Sequence, residues 1–266
     1  MASMNNFNKL AQQPENTQGD ALDVVCRGSG GITIVAVHGI QGTRASWQAL
    51  TEQLGDQVRW VLPNLRGRAQ AFRGHGSDDY SLEAFAAEIA KVITCYVTTP
   101  RYVLAGWSMG VSVTLATMDL LRKQGAPLPQ ALILMSGSPV LQETSWFHAT
   151  DHAALLEEIT AREQRLGLRD AADRDAVAWT WQSISRSDQR SLLPELDVPV
   201  LIVHGSDDED SPYAHAQLLQ QGLPQARLST IEQGMHSILT QNTARVADEI
   251  RAFLSDIPTL RSSHEK

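Results

Sequence analysis

Short apolar runs rich in β-branched residues recur along the chain at Ile32–Val37, Val58–Leu62, Tyr102–Ala105, Ala131–Met135 and Val198–Val203. Runs of this length without polar alternation predict strands buried on both faces. Between them, apolar residues fall at helical spacing over Trp47–Leu54, Leu82–Ile93, Val111–Leu121, Ala214–Leu219 and Val246–Leu254. Leu22–Arg27 reads as part of a leading antiparallel hairpin, and Ala226–Ile231 as the last strand. Strands alternating with helices predict an α/β fold: a mostly parallel sheet of about eight strands with helices on both faces.

The alternation lapses between Leu141 and Leu196, where helical, charge-rich sequence (Asp151–Leu166 and Arg169–Trp181) replaces a single crossover helix. A connection of that length predicts a small helical cap, inserted after the sixth strand over the C-terminal edge of the sheet, where open α/β sheets bind ligands. The expected organisation is a core of residues 21–140 and 197–258, a cap of residues 141–196, a flexible arm at 1–20 and a flexible tail at 259–266. In the cap, Asp151, Glu157, Glu158, Arg162 and Arg165 read as a solvated helix face.

A formal net charge of −8 argues against a general nucleic-acid or anionic-membrane binder, because the long-range field repels polyanions. Arginines gather locally at Arg66, Arg68 and Arg73, as a solvated loop or as an anion contact near the site. The polar stretch Met1–Asp20 has no apolar run suited to a signal peptide or a membrane span. Cys26 and Cys95 fit neither a disulfide framework nor a metal site, which points to a reducing compartment, the cytoplasm.

Residues 104–110 read Leu-Ala-Gly-Trp-Ser-Met-Gly, a glycine-flanked serine between an apolar run and a helical pattern. That spacing sets Ser108 on a sharp strand-to-helix turn, with small residues at Gly106 and Gly110 permitting the bend. A serine hydroxyl is a poor nucleophile at neutral pH and needs a base, which in turn needs an orienting acid. After the run Val198–Val203 comes His204-Gly-Ser-Asp-Asp-Glu-Asp210, with Asp207, Asp208, Glu209 and Asp210 all near enough to serve. After the last predicted strand comes Gln233-Gly-Met-His236. His38 and His204, each in a His-Gly pair at a strand end, read as loop supports, and the histidine spacing calls for no metal.

The segment His38-Gly39-Ile40-Gln41-Gly42, the turn Gly106–Gly110, the Gly205-x-x-Asp208 loop and the Gly234-x-His236 loop occur in the order and spacing of the α/β-hydrolase superfamily. Over residues 21–256 the chain resembles the capped branch of that superfamily. The resemblance implies that Ser108 is the nucleophile, His236 the general base and then acid, and Asp208 the residue that orients it. It also implies an oxyanion hole formed by the backbone N–H groups of Ile40 and Met109. Two positions depart from the usual pattern: Asn64 stands where many relatives have Asp, and Val111 where many have Gly. A serine rather than an aspartate at position 108 argues against dehalogenase or epoxide-hydrolase chemistry.

Aromatic residues Trp146, Phe147, Trp179 and Trp181 fall in the cap, and Trp107 lies beside the nucleophile. They suit an apolar acyl pocket or the packing of the cap onto the core. The expected activity is cofactor-independent hydrolysis of a carboxylic ester or thioester, small-molecule or carrier-bound, through an acyl-enzyme on Ser108. Acyl transfer on the same triad, and a ligand-binding protein on a hydrolase shell, are the alternatives.

Overall fold

A computed structural model describes residues 21–257. The arm expected at 1–20, the tail expected at 259–266 and position 258 lie outside the described residues. In chain order the strands are β1 (Asp23–Arg27), β2 (Thr33–Val37), β3 (Arg59–Asn64), β4 (Tyr102–Trp107), β5 (Ala131–Met135), β6 (Val200–Gly205) and β7 (Ala226–Ile231). The helices are α1 (Gln48–Leu54), α2 (Leu82–Tyr96), α3 (Met109–Gln124), α4 (His152–Leu166), α5 (Arg174–Ile184), α6 (Tyr213–Gly222), α7 (Ile238–Gln241) and α8 (Thr243–Asp256).

The strands form one sheet in the order β1-β3-β2-β4-β5-β6-β7, with β1 antiparallel to β3 and every other pairing parallel. The α/β fold expected from the alternation is therefore present. Seven strands form among the described residues, and the helical insertion follows the fifth of them where the apolar pattern predicts a sixth. Among the described residues the leading segment contributes one strand, β1, paired with β3; a hairpin partner preceding Leu22 lies outside the described residues.

Alternation along the strands divides the core into two layers. In β2, Val35 and Val37 face the layer built with Phe85 and Ile89 of α2 and Val113 and Met118 of α3. Ile34 and Ala36 face the opposite layer, with Leu50 of α1 and Val246 and Ile250 of α8. A strand buried on both faces has no polar positions to alternate, which is why these runs are continuously apolar.

Between β5 and β6 the chain makes two short 3-10 turns and the helices α4 and α5. Asp151 caps α4 by accepting the Ala154 N–H at 3.0 Å, and Gly167 ends it in the left-handed conformation, φ 61°. Trp181 on α5 packs against Trp146 and Phe147, ring centroids 5.6 and 5.7 Å away. Trp179, two residues earlier on α5, stacks on Tyr80 at 5.8 Å. These aromatic contacts seat the insertion on the sheet layer that carries α2 and α3.

Candidate active site

The turn joining β4 to α3 holds Ser108 at φ 58°, ψ −124°, a region that side chains other than glycine rarely occupy. Close backbone approach makes the turn possible. A Cβ on Gly106 would lie 2.3 Å from the Gly110 carbonyl oxygen, and one on Gly110 would lie 2.2 Å from the Val37 carbonyl oxygen. The Ser108 N–H is anchored to the Met135 carbonyl at 2.9 Å. The side chain therefore stands above the C-terminal edge of the sheet, at the N-terminus of α3, whose first-turn N–H groups have no partners within the helix.

His236 follows β7 and reaches back to this turn. Its Nε2 lies 3.0 Å from Ser108 Oγ, and its Nδ1 lies 2.9 and 3.1 Å from the two carboxylate oxygens of Asp208. Asp208 also accepts the N–H groups of Asp210 at 3.0 Å and Ser211 at 2.8 Å. A carboxylate in that position accepts the Nδ1 proton, which leaves Nε2 as the acceptor of the Ser108 hydroxyl proton. Burial alone pushes the Asp208 carboxyl up; the His236 contact, His204 and the Ser211 N–H outweigh it and hold the group below the usual carboxylate range. Of the four acidic residues that the sequence leaves open, Asp208 is the one on Nδ1. Asp207 bonds to Ser206, Glu209 accepts the His236 backbone N–H at 3.3 Å, and Asp210 turns toward α4.

The loop after β2 closes the other side of the site. A Cβ on Gly39 would touch Ser108, 3.1 Å from its Cβ and 3.4 Å from its Oγ, so Ile40 follows directly beside Ser108. His38 fastens this loop: its Nε2 accepts the Leu65 N–H at 3.0 Å and its Nδ1 donates to the Gly39 carbonyl at 2.9 Å. That arrangement requires a neutral ring, and burial, aided by the Arg68 charge, lowers its pKa to about 3. His204 is likewise buried, with Nε2 2.7 Å from the Ser211 carbonyl oxygen.

Two arginines are placed differently from what the charge pattern predicts. Arg68 is fully buried beneath the loop after β2, donating to the carbonyls of Ile40 and Arg66, with Phe85 against its guanidinium. Its neighbours Arg66 and Arg73 pair with Glu88 and Asp173. Arg162, expected on a solvated face of α4, is only 8 % exposed and points inward to Asp210 and Gln41. No local sequence signal distinguishes these two from surface arginines.

Above Ser108 lies a cleft of about 430 Å³, lined by the loop from Gly39 to Gly42, Trp107, Arg162, the segment Leu166–Asp170 at the end of α4, His236 and Leu239. Trp107 is the aromatic residue of the predicted five that lines it, and its Nε1 donates to the His236 carbonyl at 3.2 Å. Trp146, Phe147, Trp179 and Trp181 do not line this cleft; Trp146, Phe147 and Trp181 pack on one another in the apolar core, and Trp179 stacks on Tyr80. Among the described residues no group of three or more His, Cys, Asp or Glu is arranged to hold a metal ion. No helix among them is long and apolar enough to cross a membrane.

Residues 34–249 match the model of the alpha/beta hydrolase family. The chain is 27 % identical over 229 residues to the pimeloyl-[acyl-carrier protein] methyl ester esterase of Nitrosomonas europaea, covering 74 % of this chain and 86 % of that protein. It is 23 % identical over 230 residues to the putative carbamate hydrolase RutD of Agrobacterium fabrum, covering 77 % of this chain and 86 % of that one. Among solved structures, a thermophilic esterase from Thermogutta terrifontis superposes with a TM-score of 0.70 at 25 % identity, covering 89 % of this chain and 93 % of that chain. An esterase from Exiguobacterium antarcticum gives 0.73 at 20 % identity over 87 % and 94 %, a likeness of fold. The matched motifs, the sheet order and these relatives together show that the chain belongs to the alpha/beta hydrolase family, as an enzyme of the esterase type.

Proposed function

We propose that this chain hydrolyses a carboxylic ester or thioester through an acyl-enzyme on Ser108, with His236 as base and then acid and Asp208 as its orienting partner. The observation that carries the reading is the unbroken hydrogen-bonded chain from Ser108 Oγ through both ring nitrogens of His236 to Asp208, in a buried site that opens onto a cleft. In the first half-reaction the Ser108 hydroxyl proton passes to His236 Nε2 as Oγ bonds to the substrate carbonyl carbon. The backbone N–H groups of Ile40 and Met109, on either side of Ser108, receive the charge that develops on the carbonyl oxygen. Collapse of the tetrahedral species breaks the bond to the leaving group, which takes the proton from His236. Water then repeats the sequence on the acyl-enzyme: His236 takes its proton, and Ser108 recovers one as the acid departs.

Leu166, Leu168, Leu239 and Trp107 give the cleft an apolar wall that suits a small to medium acyl group. The Nitrosomonas europaea relative, by its name, acts on a methyl ester of a carrier-bound acyl group. A carrier-bound acyl ester is accordingly within the substrate class proposed here, beside free small-molecule esters. The insertion between β5 and β6 serves as the cap that covers the acyl group. Cys26 and Cys95 are free and exposed, which suits a cytoplasmic setting.

The test is labelling by a fluorophosphonate probe together with turnover of p-nitrophenyl esters of increasing chain length, for the wild type and Ser108→Ala. The reading expects both signals in the wild type and neither in the variant, with the chain-length optimum sizing the cleft. Turnover that survives Ser108→Ala refutes it; labelling without turnover of any ester points to acyl transfer, and a folded wild type that does not label points to ligand binding.

A further inference from the structure

Asp210 is a second carboxylate at the catalytic histidine. Its Oδ2 lies 3.9 Å from His236 Nε2, on the side where Ser108 and the substrate meet, and the residue is only 3 % exposed. The same oxygen accepts Nη2 of Arg162, which reaches down from α4. Arg162 uses its other terminal nitrogen, Nη1, on the Gln41 side-chain oxygen at 2.6 Å, next to Ile40. Gln41 is held to the insertion twice more, by its Nε2 on the Ile159 carbonyl at 2.9 Å and by its carbonyl on the Ala172 N–H at 3.0 Å. A buried carboxylate and a buried guanidinium each lose solvation, so the pair does not account for itself as a source of stability. Its position beside Nε2 gives it a consequence for catalysis.

We propose that Arg162 is a positioning residue for the active site: it neutralises Asp210 beside His236 and holds the Gln41 segment of the oxyanion loop, which makes the cap helix α4 part of the catalytic machinery. This rests on the assignment of Ser108, His236 and Asp208 made above.

The charges around His236 come from four elements. The loop after β6 supplies Asp208 on Nδ1, Glu209 on the backbone N–H and Asp210 near Nε2, and the end of β6 supplies His204, 3.4 Å from Asp208. α4 supplies Arg162 and Arg165, the latter 3.3 Å from Asp210 and 3.7 Å from Glu209 but half exposed. α6 supplies His215, buried and 3.8 Å from Glu143. Of these, the Arg162–Asp210 pair is the buried one on the reacting side of the ring. Without Arg162, Asp210 keeps only the half-exposed Arg165 as a partner, so its negative charge is less screened beside Nε2 and favours the imidazolium, which cannot accept the Ser108 proton. Without Asp210, the remaining guanidinium does the reverse. Opposite and like charges at about 4–6 Å typically move such a group by about one pH unit or more.

The experiment is the pH dependence of kcat/KM for a p-nitrophenyl ester in the wild type, Arg162→Met, Asp210→Asn and the double variant, with thermal melts to establish that each is folded. The expected result is an acidic limb that moves up by about one pH unit in Arg162→Met, moves down in Asp210→Asn, and returns close to the wild-type position in the double variant. Should Arg162→Met not fold, the downward shift in Asp210→Asn carries the test alone. Limbs that do not move in either folded single variant, or that move in the same direction in both, overturn the proposal. Fluorophosphonate labelling that is lost in Ser108→Ala, alongside unmoved limbs, would overturn this inference and leave the serine mechanism standing; labelling that persists would remove the mechanism on which it rests.

Discussion

Replacing Gly110 by alanine puts one methyl group where the turn has no room for it. The new Cβ would lie 2.2 Å from the Val37 carbonyl oxygen, 2.8 Å from the carbonyl carbon and 3.1 Å from the His38 carbonyl oxygen. All three are backbone atoms, so no side chain can rotate away. Relief requires α3 and the end of β2 to separate by roughly 1 Å, the gap between this approach and an ordinary van der Waals contact. That separation falls between the two proposed oxyanion donors, since Met109 begins α3 and Ile40 lies just beyond His38. Overpacking of this kind costs about 1–3 kcal/mol, which lowers the Tm of a chain of this size by about 2–12 °C. A displacement of about 1 Å in a reacting geometry costs on the order of 10²-fold in rate. Gly31→Ala is the matched control, because a Cβ there meets nothing within 4 Å. The assay is a thermal melt and kcat/KM for a p-nitrophenyl ester, measured side by side on both variants. A Gly110→Ala variant that keeps the Tm and kcat/KM of Gly31→Ala would show that the tight approach does not set the oxyanion geometry.

Acidification should destabilise the fold before it protonates the carboxylates. His38, held at about 3 when folded, titrates near 6.5 in the unfolded chain, so below that pH the unfolded state binds the extra proton. Its contribution is complete above about pH 6.5 and is lost at up to about 1.4 kcal/mol per pH unit as the pH falls toward 3, with the downward shifts of His204 and His215, caused chiefly by burial, acting in the same sense. Urea midpoints from pH 7 to pH 4.5 check this, and a flat series would contradict the neutral buried ring. Trp181→Ala should lower stability by about 3–5 kcal/mol while leaving KM for a short ester near the wild-type value, whereas Trp107→Ala should raise KM. The opposite pattern in melts and steady-state kinetics would return Trp181 to the substrate pocket.

The features that the sequence makes legible are those in which one short segment contains its own physical reason. A continuous apolar run implies a strand buried on both faces, and β2 through β6 follow. Gly106 and Gly110 around Ser108 imply a turn too tight for a Cβ, and the structure shows the two carbonyls that such a Cβ would strike. The order of the Ser108, Asp208 and His236 loops is legible for the same reason, because each sits at the C-terminal end of a strand that can be recognised from its own residues. The pairing of β1 with β3 is less legible, since the partner of a flanking segment depends on what lies across the sheet edge.

Charged residues resist this kind of reading because a charge is assigned its environment by a partner, and the partners are distant. Arg162 and Arg165 sit on the same helix with similar sequence surroundings, yet one is buried and the other half exposed. Both reach Asp210, but only Arg162 also reaches Gln41, 121 positions away, brought near when the insertion folds back over the loops after β2 and β6. Arg68 is the sharper case, because among the described residues no carboxylate sits directly on its guanidinium and its hydrogen-bond partners are backbone carbonyls, which no residue type announces. The aromatic residues of the insertion are ambiguous in the converse way. A tryptophan near a nucleophile in sequence space suits a pocket or a core equally well, and the three side chains of Trp146, Phe147 and Trp181 consume one another's apolar surface. The cleft they leave is lined instead by Arg162, Trp107 and three leucines. A buried guanidinium in that wall, already engaged by Asp210 and Gln41, makes the electrostatics of the ceiling as much a part of this site as the serine in its floor.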